Sequence, residues 1–279
     1  MTKVYNRKLK QYIEVKHFGA NTLDKVYNSK ILTNIATSKP ISKVYGLYNS
    51  SSLSKKKIKE FIKENEIDIK EYENKEYKNF NDFFIRKKKK ITIDNNSKHL
   101  ISPVDGKLLV YKVNDKKIKV KGLDYTLEEL FDERVNNQFS NGYVLVFRLA
   151  LDDYHRFHYI DSGKRIKRKI IKGKLHTVSS SSSKYKIYKE NEREFSILLT
   201  DNLGLIYYME VGALLIGKII NYDKDKFKRG EEKGYFLPGG STVILLVNNV
   251  TIDKEILNNS KKDIEVLVEV GQRVGVIND

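Results

Sequence analysis

Short apolar or alternating segments separated by turn residues dominate the chain from about residue 100 onward, and this pattern predicts a β-rich region. Lys107–Val113 and Lys117–Lys121 alternate around Asn114-Asp115, which predicts a β-hairpin. The capping box Thr126-Leu-Glu-Glu129 predicts a short helix directly after it. Four more strands are predicted where apolar or β-branched residues run together: Tyr143–Leu151, Phe195–Thr200, Leu205–Val211 and Thr242–Val247.

The first 100 residues show helical patterns instead. Ser54 is the predicted N-cap of a helix over residues 55–64, whose apolar residues share one face. A second apolar stripe over Ile31–Ile35 is flanked by lysines, and a basic segment of this kind can lie on a bilayer surface. Ordinary packing of this segment against its own domain is the alternative interpretation.

Together these patterns predict an α+β fold with two regions. Residues 1–95 form an N-terminal helical, membrane-docking region, and residues 96–279 form a β-rich domain. No run of 18 or more apolar residues occurs, so no membrane-spanning helix is expected. The N-terminus also lacks the apolar core of a secretory signal.

The composition narrows the classes of partner. The chain has 53 Lys and Arg against 36 Asp and Glu, a formal net charge of +17. An anionic membrane surface attracts each nearby basic residue by ~1 kcal/mol, whereas a biased composition would produce the charge without any partner. No helix-turn-helix, zinc-finger or aromatic RNA-binding pattern occurs, so nucleic acid is not expected. Because the chain has no Cys, a disulfide scaffold, a thiol nucleophile and a thiolate metal site are excluded, and no metal is expected.

Four segments combine residue types that carry chemistry, although each of them alone also fits a turn, a loop or a structural histidine. They are Ser102-Pro103-Val104-Asp105-Gly106, Asp153-Tyr154-His155-Arg156-Phe157-His158, Glu210-Val211-Gly212-Ala213 and Gly239-Gly240-Ser241-Thr242. In this order and spacing they resemble the phosphatidylserine decarboxylase family. The segment Asn79–Arg86 is similar to the one that precedes the catalytic domain in that family, and the resemblance extends over nearly the whole chain to the shorter, clostridial-type bacterial members. Many members have Leu where residue 239 is Gly, but the Gly-Ser pair that follows is intact.

The resemblance implies a self-processing decarboxylase that converts phosphatidylserine to phosphatidylethanolamine and CO2 through a Schiff base. Loss of CO2 leaves electrons on an α-carbon, and a pyruvoyl group can accept them. No side chain carries a ketone, so the resemblance implies that the chain makes this group from Ser241. The proenzyme is cut between Gly240 and Ser241 into a large chain, residues 1–240, and a small pyruvoyl chain, residues 241–279.

The resemblance also implies roles for individual residues. Ser241 is the nucleophile of self-cleavage, His158 is its base, and Asp105 is the carboxylate that orients His158, as in Ser-His-Asp catalysis. His155 is the candidate for the decarboxylation step, either as the acid that protonates the product or as a contact to the substrate. A packing role is the alternative for His155.

Two other interpretations stay open: a pyruvoyl decarboxylase of a soluble amino-acid derivative, and a non-processing basic membrane-binding protein. For the main interpretation the expected partners are phosphatidylserine and an anionic membrane surface, with the large and small chains held together. The expected location is the cell membrane, peripherally on the cytoplasmic side. A homodimer is left open.

Overall fold

The computed structural model describes residues 2–15, 29, 38–120, 123–174, 186–212, 218–239 and 241–278. Within these ranges the fold is mixed α+β, rich in strands and with few helices. None of the helices in the described part of the chain is both long and apolar enough to span a bilayer.

The described residues form six α-helices and eighteen strands. The helices are α1 (Lys39–Ser50), α2 (Lys56–Glu64), α3 (Phe80–Phe84), α4 (Leu127–Phe131), α5 (Ile187–Glu190) and α6 (Lys254–Ser260). The strands are β1 (Thr2–Asn6), β2 (Gln11–Val15), β3 (His99–Ile101), β4 (Gly106–Lys112), β5 (Lys117–Val120), β6 (Leu123–Thr126), β7 (Tyr143–Leu149), β8 (Arg156–His158), β9 (Gly163–Ile171), β10 (Arg193–Thr200), β11 (Gly204–Gly212), β12 (Ile219–Asn221), β13 (Lys226–Phe227), β14 (Glu232–Phe236), β15 (Ser241–Val247), β16 (Val250–Ile252), β17 (Glu265–Val268) and β18 (Arg273–Ile277).

A ten-stranded sheet organises the fold, in the order β13-β9-β10-β11-β15-β7-β4-β17-β1-β2. All neighbours in it are antiparallel except β1 and β17. Strand β15 lies in the middle and is buried along its whole length, because both faces of the sheet are covered. Val243, Leu245 and Val247 enter one apolar core, whereas Ile244 and Leu246 enter the core on the opposite face. The prediction of a strand over Thr242–Val247 is therefore confirmed, and the structure places it in the middle of the main sheet.

The N-terminal region differs in part from the expected helical region. Helices α1, α2 and α3 confirm helical structure between residues 39 and 84, but residues 2–15 form strands β1 and β2 at one edge of the main sheet. β1 pairs with β17, and its Val4 is fully buried there. Alternating β-formers that gain backbone hydrogen bonds from an open sheet edge favour strand over helix. The stripe over Ile31–Ile35 lies outside the described residues, and the boundary at residue 95 stays a prediction.

Two local predictions are wrong, each because of a contact from elsewhere in the chain. Ser54 does not cap the helix, which begins at Lys56. Its buried hydroxyl instead accepts the backbone N–H of Phe80 at 2.9 Å. The turn at Asn114 forms, but β5 pairs with β6 and not with β4. Both edges of β4 are already occupied, by β7 and β17. The capping box at Thr126 is confirmed.

Candidate active site

Ser241 is the first residue of the central strand β15. It pairs with Leu149 of β7 on one side and with Gly212 of β11 on the other. Its side chain is fully buried, and its hydroxyl has no hydrogen-bond partner among the described residues. An unsatisfied buried polar group costs roughly 1–3 kcal/mol, so packing alone does not account for a serine here. Gly240, the other residue of the predicted cleavage site, lies outside the described residues.

His158 ends the short strand β8, which pairs with β14 just before the chain reaches Ser241. Its Nδ1 lies 3.0 Å from the carbonyl oxygen of Gly230. A carbonyl can only accept, so Nδ1 carries the proton in this contact and Nε2 carries the lone pair. Nε2 is buried and has no partner in the described part of the chain. Burial lowers the pKa of His158, so the ring is neutral at pH 7 and able to act as a base.

His155 has the same arrangement three residues earlier. Its Nδ1 lies 2.8 Å from the carbonyl oxygen of Asp153, and its ring packs on Phe84 with ring centroids 4.0 Å apart. Its Nε2 is also buried and without a partner among the described residues. Burial lowers the pKa of His155 to about 3. At neutral pH this Nε2 therefore accepts a proton or a hydrogen bond, and it can donate a proton only after it has taken one up.

Asp105 immediately precedes β4. Its carboxylate forms an ion pair with Lys88 and accepts the backbone N–H of Val270 at 2.9 Å. Burial raises the pKa of Asp105, while the charge of Lys88 opposes that rise. Asp105 and His158 come from touching segments, since the backbone N–H of His158 donates to the carbonyl of Pro103 at 2.9 Å. The ring of His158, however, has Gly230 and not Asp105 as its partner at Nδ1, so the orienting role of Asp105 stays a prediction.

Residues 84–86, at the end of the segment Asn79–Arg86, contact the segment that carries His155 and His158. Phe84 covers the ring of His155, and Arg86 donates to the carbonyl of Asp152 at 2.7 Å. The carbonyl of Ile85 accepts Nε of Arg156 at 2.8 Å. This part of the N-terminal region therefore contacts His155 itself and residues on both sides of it in the chain.

A lysine that the sequence did not single out stabilises the same segment. Lys107 of β4 lies 3.1 Å from the carboxylate of Asp153, and that carboxylate also accepts the N–H of Ala150 at 2.6 Å. Burial opposes ionisation, but these two partners hold the pKa of Asp153 below its usual value. The signal for Lys107 was weak, because a lysine in an alternating strand normally points to solvent.

A second buried ion pair lies two residues from the partner of Ser241 on β11. Glu210 is fully buried and its carboxylate lies 2.6 Å from Nζ of Lys233. Asn221 joins the pair, accepting from Lys233 at 2.5 Å and donating to Glu210 at 3.2 Å. Burial raises the pKa of Glu210 to about 7, against the opposing charge of Lys233. A glutamate inside the apolar run Leu205–Val211 was the sequence signal that a buried partner was needed.

The structure thus provides a buried serine hydroxyl and two neutral imidazoles whose Nε2 atoms have no partner among the described residues. These are the groups that a class of enzyme with a serine nucleophile and an imidazole base requires. No group of three or more metal-ligating side chains occurs in the described ranges. A serine hydroxyl and neutral imidazoles can take part in nucleophilic attack and proton transfer.

Comparison with known proteins identifies the family of the chain. The sequence profile of the family described as phosphatidylserine decarboxylase matches residues 80–276. Phosphatidylserine decarboxylase proenzyme 2 of Clostridium acetobutylicum is 44% identical, over 99% of both chains. The phosphatidylserine decarboxylase proenzymes of Clostridium tetani and Clostridium perfringens (strain ATCC 13124) are 42% and 40% identical, over 99% of this chain and 98% and 99% of theirs. The chain belongs to the phosphatidylserine decarboxylase family.

Proposed function

We propose that this protein is a self-processing, pyruvoyl-dependent decarboxylase that converts phosphatidylserine to phosphatidylethanolamine and CO2. The observation that carries the proposal is the buried, unpartnered hydroxyl of Ser241 at the start of the central strand. Family membership and the names of the proenzyme relatives support the substrate and the processing. A soluble amino-acid derivative as substrate is not favoured by these relatives.

Self-cleavage begins with the transfer of the Ser241 hydroxyl proton to Nε2 of His158. The oxygen attacks the carbonyl carbon of Gly240, the peptide C–N bond breaks and its nitrogen takes the proton back, so the amide becomes an ester. Elimination then removes the Cα proton of residue 241 and breaks its Cβ–Oγ bond, which leaves Gly240 as a new carboxylate terminus and residue 241 as a dehydroalanine with a free amino group. Tautomerisation to the imine, addition of water and loss of the nitrogen as ammonia convert residue 241 to a pyruvoyl group.

The residues present fit such a group. Position 241 is fully buried between β7 and β11, and the buried Nε2 atoms of His155 and His158, which have no partner among the described residues, can bond to oxygen or move a proton. When formed, the group supplies an electron sink for the bond between the substrate α-carbon and its carboxylate. Phe84 and the buried surroundings exclude water from His155. We assign to His155 the transfer of the proton that replaces CO2 on the substrate α-carbon.

Asp105 is assigned an electrostatic role. When His158 takes the serine proton it becomes cationic, and a buried carboxylate on the adjoining segment stabilises that charge. The charge of Lys88 opposes the rise that burial causes in the pKa of Asp105, and so favours its ionised form. Asp105→Asn should therefore slow self-cleavage while the chain still folds.

Intact mass and denaturing gels test the processing. The wild-type chain should yield fragments of 240 and 39 residues, the small one carrying a blocked N-terminus, whereas Ser241→Ala should stay whole. His158→Gln should cleave about 10²–10⁴-fold more slowly, as for loss of a general base. The mature enzyme should release CO2 from phosphatidylserine vesicles and not from water-soluble serine derivatives. An uncut chain that still decarboxylates the lipid would refute the proposal.

Peripheral association with a membrane is part of the proposal, and helix α1 supports it. Val44, Leu47 and, just beyond the helix, Leu53 are each about two-thirds exposed. Nζ of Lys57 lies 4.9 Å from the ring centroid of Tyr48 at the same surface. Exposed apolar side chains beside Tyr and Lys favour the interface of an anionic bilayer.

Sedimentation with vesicles that contain phosphatidylserine tests this surface. Val44→Glu and Leu47→Glu should each reduce binding, because a carboxylate at the interface opposes burial and is repelled by anionic lipid. Ile166→Glu is the matched control, since Ile166 of β9 is similarly exposed elsewhere, at 55%. Equal loss of binding in all three variants, or in none, would contradict a role for α1.

A further inference from the structure

The carbonyl that holds His158 belongs to a tightly fixed turn. Gly230 accepts from Nδ1 of His158 at 3.0 Å, and its own N–H donates to the carbonyl of Tyr159 at 2.8 Å. The N–H of Tyr159 in turn donates to the carbonyl of Glu231 at 2.8 Å. The turn and the end of β8 are thus joined by three hydrogen bonds that alternate in direction.

Arg229 fixes this turn to two other segments. Its guanidinium donates from all three nitrogens to backbone carbonyls: Nε to Asp94 at 2.8 Å, Nη1 to Ile160 at 2.9 Å and Nη2 to His99 at 2.8 Å. A planar fork of donors can serve three acceptors at once, which the single ammonium of a lysine cannot do in the same geometry. The residue before the His158 acceptor is therefore the point where these segments meet.

The turn requires glycine at position 230. Its φ is +75°, a left-handed conformation that other residues adopt only at a cost. A Cβ at this position would lie 2.7 Å from Cγ1 of Ile93, well inside contact distance. The carbonyl that accepts from His158 therefore belongs to a residue whose φ angle and whose contact with Ile93 both disfavour any side chain.

We infer that Arg229 is a positioning residue for His158, acting through the carbonyl of Gly230 to keep the proton on Nδ1 and the lone pair on Nε2. The hydrogen bond made by one ring nitrogen sets the protonation of the other. If the carbonyl moves away, the neutral ring can place its proton on Nε2, and that tautomer cannot accept the proton of Ser241. The inference rests on the proposed role of His158 as the base of self-cleavage.

The test uses the full chain with two readouts. In a Ser241→Ala background, which stays whole, ¹⁵N chemical shifts of labelled histidine report the tautomer, with His158→Gln identifying its signals. In the chain with Ser241, denaturing gels give the rate of self-cleavage. Arg229→Lys and Gly230→Ala should each move His158 away from the pure Nδ1–H form and slow self-cleavage about 10- to 100-fold, as for misplacement of a catalytic group.

Two control variants match the perturbations without touching this turn. Gly204→Ala places a Cβ at a similar φ of +66° with no heavy atom within 4 Å. Arg7→Lys removes a guanidinium that contacts Asp253, Glu255 and the Arg273 carbonyl. Both controls should keep the wild-type tautomer and rate.

An unchanged His158 tautomer in Arg229→Lys and Gly230→Ala would overturn the inference. An equal change in the control variants would do the same. Failure of the wild-type chain to cleave would instead refute the proposed function. The tautomer comparison would still decide what Arg229 does, because it is made in a chain that does not cleave.

Discussion

The contribution of the buried pair of Glu210 and Lys233 to the free energy of unfolding should fall as the pH rises. A surface carboxylate paired with a lysine has the opposite pH dependence. Burial raises the pKa of Glu210 from its usual 4.5 to about 7 in the folded chain. Between these values the folded chain holds a proton on Glu210 that the unfolded chain has lost. The contribution of Glu210 to the free energy of unfolding is therefore greatest below pH 4.5 and falls as the pH rises to about 7.

The size of the effect follows from the same two pKa values. At about 1.4 kcal/mol per pKa unit, the full loss across this range is about 3 kcal/mol, of which about 2 kcal/mol falls between pH 5 and 7.5. Glu210 is completely buried, so solvent does not screen this contribution. His155 and His158 act in the opposite direction over the same range, because burial keeps them neutral in the folded chain. The effect of Glu210 must therefore be measured as a difference between variants.

The measurement is urea unfolding from pH 5 to 7.5 in a Ser241→Ala background, where a single uncut chain unfolds. Glu210→Gln combined with Lys233→Met removes both charges. The difference in the free energy of unfolding between this double variant and the parent chain should change by about 2 kcal/mol over this range. Lys233→Met alone should destabilise by about 3–5 kcal/mol at pH 7.5, since it leaves a buried charge without its partner.

An exposed ion pair provides the matched control. Lys55 and Glu76 form a surface pair, and the hydrogen bond and charge of Lys55 hold the pKa of Glu76 below its usual value. Lys55→Met with Glu76→Gln removes the same two charges and should show no pH-dependent difference in this range. A parallel pH dependence for the parent chain and the Glu210–Lys233 double variant would refute the reasoning.

Two further predictions follow from single contacts. Gly234→Ala would place a Cβ 2.1 Å from the carbonyl oxygen of Ile220 and 2.8 Å from the ring of Phe157. Because this overpacks the core, it should lower the free energy of unfolding by about 1–3 kcal/mol. A urea unfolding curve that matches that of the parent chain would contradict this prediction. Lys88→Met removes the charge that opposes the burial-raised pKa of Asp105, so self-cleavage measured on gels from about pH 5 to 8 should fall away at a higher pH than in the wild type; coincident pH profiles would show that Asp105 need not be ionised.

Elements that depend on their own sequence were predictable from it. Thr242–Val247 is apolar or β-branched at every position, and such a run is stable only with both faces covered, as in the middle of the main sheet. The capping box at Thr126 satisfies its two hydrogen bonds within four residues, and they form although Lys186 and Lys189 also contact the carboxylate of Glu129. The apolar face of the helix over 55–64 was likewise predictable, because Ile58 is buried on it.

Features that depend on distant partners could not be predicted in the same way. The hydroxyl of Ser54 is a good cap in isolation, but the N–H of Phe80, 26 residues away, uses it instead. At the candidate site, the four motifs named the residues with suitable chemistry but did not predict their hydrogen-bond partners. Asp105 forms an ion pair with Lys88 of the N-terminal region, and His158 donates to the backbone carbonyl of Gly230. No sequence pattern predicts either contact.

The position of the proposed cut relative to the sheet explains how a severed chain could remain one folded unit. Residues 241–278 contribute β15 to the middle of the main sheet, β17 to the same sheet between β4 and β1, and β16 and β18 to a second sheet with β3. The five buried side chains Val243–Val247 alone bury apolar surface worth of the order of 10 kcal/mol. A cut before residue 241 breaks none of these strand pairings. If Ser241 is the reacting serine, its place at the first residue of the central strand allows the proposed cleavage to leave both products held in the same sheets.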